Sequence, residues 1–182
     1  MHKEMSAQKA VPALLVTQLM AAEVYSQFLN VSSAGEWDLW KRMLDDELDH
    51  IAHLRQVVGG DLSFNHIFPT INIEKMRETC DQIIHMGEEL FMMRLEGALR
   101  LECAELDYGL EGMAARRLKR KHPLIDYPGD IQEHISYLIK EAERYAESRN
   151  IGLQIRRLRE LFETSLADTT FLTLDEETRA RF

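Results

Sequence analysis

Apolar residues recur at spacings of three and four from Val11 onward, the period of a helix with one inward face. Leu15, Leu19, Ala22, Ser26 and Leu29 mark the first such face, over 11–31. A second helix starts at Ser33 or Ala34, turns Trp37, Trp40, Leu44, Ile51, Leu54 and Val58 inward, and stops at Gly59-Gly60. A third, over about 73–86, uses Met76, Cys80, Ile83 and Ile84, and Gly87 ends or bends it. A fourth, over about 89–117, uses Leu95, Ala98, Leu99, Leu106 and Leu110. A fifth begins at Asp130, a favoured N-cap, and runs to about Asn150 with Ile131, Ile135, Leu138 and Tyr145 inward. The last amphipathic segment is 151–167. Nine glycines and four prolines are few for 182 residues, and no β-hairpin signal appears. The pattern predicts an all-α fold and disfavours a sandwich or barrel.

Connection lengths arrange these helices. The first two are joined by a short turn, so they are antiparallel neighbours. Residues 61–72 hold Phe64, Ile67, Phe68 and Pro69 without helical period and read as a packed connection. A weak internal echo lays Asp46–Arg55 over Lys140–Arg149, with Glu47 on Glu141, Ala52 on Ala146 and Arg55 on Arg149. Helices one-two and four-five then form related halves. The expected architecture is a bundle of four long helices over 1–150, with a crossover at about 59–88 and a C-terminal helix and tail over 151–182.

The charge balance narrows the partners. The chain has 22 Lys+Arg against 31 Asp+Glu, a formal charge of −9. Phosphate binding needs an electropositive face, so a nucleic-acid partner is not expected. The basic run Arg116–Lys121 sits at the end of a helix, where cations complement the dipole. No stretch of about 18 apolar residues exists, and the start Met1-His2-Lys3-Glu4 has no apolar leader core. Cys80 and Cys103 form no Cys-x-x-Cys pair, so neither a disulfide framework nor a four-cysteine centre is expected. A cytoplasmic protein without a membrane span is the expectation.

Acidic residues also fall where leucines should. Glu23 lies four residues after Leu19, and Glu47 sits between Leu44 and Ile51 with His50 one turn on. Glu102 lies four residues from both Ala98 and Leu106, and Glu141 follows Leu138 by three. A lone buried carboxylate is costly, so it is paired, protonated or bound to a cation. Four in one core repel one another unless cations lie between them. Glu47-x-x-His50 places a carboxylate and an imidazole on one helix face. Mixed oxygen and nitrogen donors suit iron or manganese. Glu105 is a near rival to Glu102, and Tyr25 reads as a core tyrosine. His134 lies seven residues before Glu141, roughly 10 Å away along a helix and too far to share an ion with it.

Ala22-Glu23-Val24-Tyr25, Glu47-Leu48-Asp49-His50-Ile51-Ala52, Leu101-Glu102-Cys103-Ala104-Glu105 and Lys140-Glu141-Ala142-Glu143-Arg144-Tyr145 together resemble the ferritin-like superfamily, most of all its rubrerythrin-type di-iron branch. The resemblance covers about residues 11–150. It implies a ferritin-like four-helix bundle and a ferroxidase- or peroxidase-type oxidoreductase in iron handling or oxidative-stress defence. It implies iron, about two ions per chain, or manganese. Glu23 and Glu141 would be terminal ligands, Glu47 and Glu102 bridging ones, and His50 a terminal nitrogen ligand. Homodimerisation and a separate electron donor follow from the same resemblance, since the rubredoxin-like domain is missing.

The sequence departs from that pattern in its fifth helix. Where a second Glu-x-x-His belongs, Glu141 is followed by Arg144 and Tyr145. A guanidinium is a permanent cation and cannot ligate a metal. Two alternatives therefore stand beside the di-iron reading. One is a metal-free scaffold in which Arg144 pairs with the core glutamates. The other is a mono-metal site built from Glu23, Glu47, His50 and Glu102.

Overall fold

A computed structural model describes residues 7–58, 73–87, 90–113 and 127–163, and every regular element among them is a helix. Helix α1 spans Ala7–Asn30, α2 Trp37–Val58, α3 Ile73–Gly87, α4 Phe91–Met113 and α5 Tyr127–Glu143. A sixth, α6, covers 149–163. The expected connection at 61–72, the basic run at 116–121 and the tail after 163 lie outside the described residues. No described helix is long and apolar enough to cross a membrane.

The end of α1 is closed locally. Val31 N–H donates to the Gln27 carbonyl at 3.3 Å, and the Ser32 hydroxyl donates to the Phe28 carbonyl at 2.5 Å. These bonds satisfy carbonyls that a helix terminus leaves open. Glu36 N–H then bonds the Ser33 carbonyl at 3.0 Å. Residues 34–36 are therefore a turn, and α2 starts at Trp37 rather than at Ser33 or Ala34.

α1 lies along α2 and also meets α3 and α4, while α3 packs on α4 and α5 reaches α2 and α4. α6 is fastened to α4 by Arg157 Nη2 to Asp107 Oδ2 at 2.7 Å and Asn150 Nδ2 to Glu96 Oε2 at 3.3 Å. Its Ile151, Ile155 and Leu158 belong to the same buried cluster as Tyr25, Trp40, Leu99 and Leu138. One core thus takes side chains from all six helices.

Two helices differ from the sequence expectation in ways that matter for the site. On α1 the buried side is Leu15, Gln18, Ala21, Ala22, Tyr25 and Phe28, whereas Leu19 and Glu23 are exposed. This helix is apolar on nearly every side, so its inward stripe reads equally well about one residue over. In α5, the expected run to Asn150 stops at Glu143. Tyr145 N–H bonds the Ala142 carbonyl at 2.9 Å and Ala146 N–H the Glu143 carbonyl at 3.2 Å, three-residue bonds that tighten and end the helix. The next helix starts just after Ser148, a favoured N-cap. Tyr145, expected inside, is therefore exposed, as is Trp37 at the first turn of α2.

The α3–α4 contact depends on a glycine. A Cβ on buried Gly97 would lie 2.8 Å from Ile83 Cγ2, a methyl on a fully buried, β-branched side chain. Alanine normally gains about 1 kcal/mol over glycine inside a helix. Here the overpacking term, about 1–3 kcal/mol, is larger. Gly97→Ala is expected to lower the urea midpoint without changing the slope of the transition.

Candidate metal centre

Each of four helices sends polar side chains to one point in the core. α2 brings Glu47 and His50, α4 brings Glu102 and Glu105, and α5 brings His134; α1 adds Gln18 and Tyr25. Glu47, Glu102 and His134 are buried, and one donor atom from each lies within 4.8 Å of the others. The same helices also place Ala98, Leu99 and Leu138 in the buried apolar core.

His134 is the hub. Its Nδ1 lies 3.1 Å from Asp46 Oδ2 and its Nε2 3.0 Å from Glu102 Oε1. Both ring nitrogens thus face carboxylates, which suits an imidazolium donating twice. Burial works against that charged form, but the Glu102 carboxylate and the bonds to Asp46 and Glu102 outweigh it and hold His134 well above its ordinary value of 6.5. The same contacts act in reverse on the partners. Burial alone would raise Glu102, yet His134 and the Tyr25 hydroxyl hold it below 4.5. Asp46, similarly, is kept below 3.8 by its bond to His134 in spite of burial.

Glu47 is left without such partners. Neither of its carboxylate oxygens has a hydrogen bond. His134 Nε2 lies 3.3 Å from Oε1 and His50 Nδ1 3.7 Å from Oε2, ion-pair contacts that are not hydrogen bonds. Burial pushes the Glu47 carboxyl up; His50 and the His134 charge pull it down without offsetting burial, and Glu102 adds to the push. Glu105 is in the same position: burial, then the charges of Glu47 and Glu102, raise it well above 4.5. Its Oε2 accepts from Gln18 Nε2 at 2.7 Å, while its Oε1 is buried without a partner. Gln18 Oε1 meets His50 Nδ1 at 3.0 Å, so this amide ties His50 to Glu105.

The residues singled out from the sequence separate cleanly. The structure brings Glu47, His50 and Glu102 together. It does not bring Glu23 or Glu141. Glu23 sits on the outer side of α1 and accepts from Gln27 Nε2 at 2.9 Å. Its placement in the core is corrected by the register of α1. Glu141 is half-buried at the end of α5 and accepts from Arg144 Nη1 at 2.6 Å. Arg144 is 64% exposed, past the last turn of α5. The expectation that Arg144 neutralises the core is thus corrected: that place belongs to His134. From α5 the centre takes His134 in place of Glu141, and from α1 it takes Gln18 and Tyr25 in place of Glu23. The readable signal for His134 was its line with Leu138 and Ala142, four residues apart and buried.

These shifts fix how metal-free protein responds to pH. The raised His134 contributes stability that is complete below about 6.5 and is lost as pH rises through its folded value. Glu47 and Glu105, also raised, hold protons that the unfolded chain has released above 4.5, so stability falls as pH climbs through that range. Glu102 and Asp46, both lowered, contribute stability above their ordinary values that is lost only in stronger acid. Metal-free protein is therefore expected to melt higher at about pH 5–6 than at about pH 8–9 by differential scanning calorimetry. A melting temperature that rises steadily to pH 9 would contradict these assignments.

No family model, no curated protein and no solved structure matches the chain.

Proposed function

We propose that this chain is a non-haem metal protein whose ion is held by Glu47, Glu102 and His134. The observation that carries the reading is the Glu47 carboxylate, fully buried with both oxygens lacking a hydrogen bond, facing a second carboxylate and an imidazole. A buried carboxylate whose oxygens lack hydrogen bonds is costly. A cation between these three groups removes the cost. The donors are two carboxylates and one nitrogen with no thiolate, which suits iron or manganese. In keeping with the resemblance to ferritin-like proteins of the rubrerythrin type, the bound ion supplies one-electron redox chemistry toward dioxygen or peroxide, in iron handling or oxidative-stress defence.

The chain's own residues have distinct tasks. Asp46 holds Nδ1–H of His134 and so turns Nε2 toward Glu47 and Glu102, as outer carboxylates do for metal-binding imidazoles. The Tyr25 hydroxyl donates to Glu102 Oε1 at 2.6 Å and fixes that carboxylate's rotamer. Trp40, Leu99 and Leu138 are fully buried in the core that the same helices form. Glu105 Oε1, buried and unpartnered, favours a two-ion version in which Glu105 and His50 serve the second ion. The competing reading is a metal-free scaffold in which doubly bonded His134 itself supplies the positive charge.

Elemental analysis separates these readings, using protein purified without chelator and then loaded anaerobically with Fe(II) or Mn(II). About one ion per chain is expected, with a rise in melting temperature on loading because only the folded state has the site. About two ions support the Glu105 version. No ion after loading, with no thermal shift, sinks both and leaves the scaffold.

A further inference from the structure

On one flank of the cluster, α2 and α5 carry a row of polar side chains that the centre itself does not use. Asp38, Arg42 and Asp46 follow one another at four-residue steps along α2. Tyr137 and Glu141 do so along α5, beginning one turn beyond His134. The Arg42 guanidinium carbon stands 3.9 Å from the centroid of the Tyr137 ring, and Arg42 Nε lies 3.9 Å from Asp46 Oδ2. That same Asp46 oxygen faces His134 Nδ1 at 3.1 Å. A line therefore runs from solvent to core through Arg42, Asp46, His134 and Glu102, whose side chains are 47%, 30%, 2% and 4% exposed. Two further carboxylates act on the ring beneath the guanidinium. Burial and then the Glu141 charge push the Tyr137 hydroxyl up, Arg42 opposes them, and Asp38 adds to the push.

We propose that Arg42 is a swinging gate beside Asp46, which sets how fast a divalent cation enters and leaves the buried centre of Glu47, Glu102 and His134. The inference rests on the metal reading above and adds to it a route and the residue that controls it. In the observed seat the guanidinium lies over Tyr137 and next to Asp46, so a fixed positive charge stands where a cation would first meet a carboxylate of the cluster. A second seat lies one turn back on the same helix face. Asp38 precedes Arg42 by four residues, the better order for an acid and a base on a helix, whereas Asp46 follows it by four. Exposed ion pairs of this kind are weak, so neither carboxylate alone fixes the side chain. Stacking on the Tyr137 ring supplies the extra hold that favours the closed seat. A turn of the Arg42 side chain toward Asp38 uncovers Asp46 with no change in the backbone, and no bond or proton is exchanged.

The test follows Mn(II) in the full chain. Uptake by metal-free protein is read after rapid mixing as loss of the free-ion electron paramagnetic resonance signal. Release is read by adding excess EDTA to loaded protein. Arg42→Met keeps the length of the side chain and removes its charge. It is expected to speed uptake and release alike by about two- to five-fold, the size of one exposed ion pair, and so to leave the dissociation constant near that of the parent. Tyr137→Leu is expected to do the same, because the guanidinium loses its platform, while Tyr137→Phe keeps the ring and is expected to match the parent. Arg159→Met makes the same change of net charge on α6, where Arg159 pairs with Glu143, and is expected to alter neither rate. Equal acceleration in Arg159→Met overturns the gate, because net charge alone then governs arrival. Faster uptake with slower release in Arg42→Met also overturns it, because Arg42 then only repels the bound ion. Unchanged rates in Arg42→Met, with Mn(II) bound at equilibrium, sink the gate and leave the metal reading standing. No bound Mn(II) in any variant sinks both.

Discussion

Replacing His134 with alanine is expected to abolish metal binding and to lower the stability of metal-free protein by about 3–5 kcal/mol, the cost of stripping a buried charge of its partner. For a chain of this size that is a fall of roughly 6–20 °C in Tm. The magnitude follows from the geometry. His134 is the one side chain that contacts Asp46 Oδ2, Glu102 Oε1 and Glu47 Oε1 together. Without it, two buried carboxylates face each other across a cavity. Glu23→Ala and Glu141→Ala supply the contrast. Both residues lie away from the cluster and pair only with a neighbour on or just beyond their own helix. Each substitution is expected to change stability by less than about 0.5 kcal/mol and to leave ion content unaltered. A His134→Ala protein that melts like the parent would refute the role given to this residue. Loss of the ion in Glu23→Ala would restore the ligand set expected from the sequence.

Glu47→Leu is expected to act with opposite sign in the two states. In metal-free protein the carboxylate is buried, unbonded and repelled by Glu102. Leucine has similar volume and no charge to desolvate. Replacing buried ionic groups by apolar ones is often neutral or stabilising by about 1–4 kcal/mol where the charge left behind stays paired, as His134 does here with Glu102 and Asp46. The Glu102–His134–Asp46 chain survives the change, since its hydrogen bonds do not involve Glu47. The variant should therefore melt higher than the parent without metal, and should show no rise when Fe(II) or Mn(II) is added. Thermal melts with and without the ion measure both. A Glu47→Leu protein that melts lower in both conditions would mean that this carboxylate already has its counter-charge, and the case for an ion would fall with it.

How far the sequence could be read depended on how polar each helix was. α2 and α4 alternate charged and apolar faces, so the inward places of Glu47, His50 and Glu102 were visible as acids and an imidazole interrupting a clear stripe. α1 offered no such contrast. Between Val11 and Phe28 almost every position is apolar or small, and the stripe through Leu19 and Glu23 looks as good as the one through Gln18 and Tyr25. Only packing against α2 and α4 selects the second. On α5 the error came from the far end. Extending that helix to Asn150 made Tyr145 an inward residue and brought Glu141 with it. The turn after Glu143 releases Tyr145, Ala142 rather than Glu141 continues the inward line, and the face is His134, Ile135, Leu138, Ile139 and Ala142. Gln18 was hidden, and Glu105 stood only as a rival to Glu102, for another reason. Their importance lies in the bonds they make across the core, to each other and to His50. Spacing along one helix does not record such bonds.

Asp46 gives the buried cluster a kinetic side. It holds His134 from within the core, yet 30% of its side chain meets solvent, with Arg42 Nε 3.9 Å away and that guanidinium resting over the Tyr137 ring. A cation entering past Asp46 would meet a half-wet carboxylate before the dry ones, and would shed its water in stages rather than all at once. Arg42 would compete at that threshold, so the rate of loading with Fe(II) or Mn(II) is expected to depend on ionic strength more than the final occupancy does.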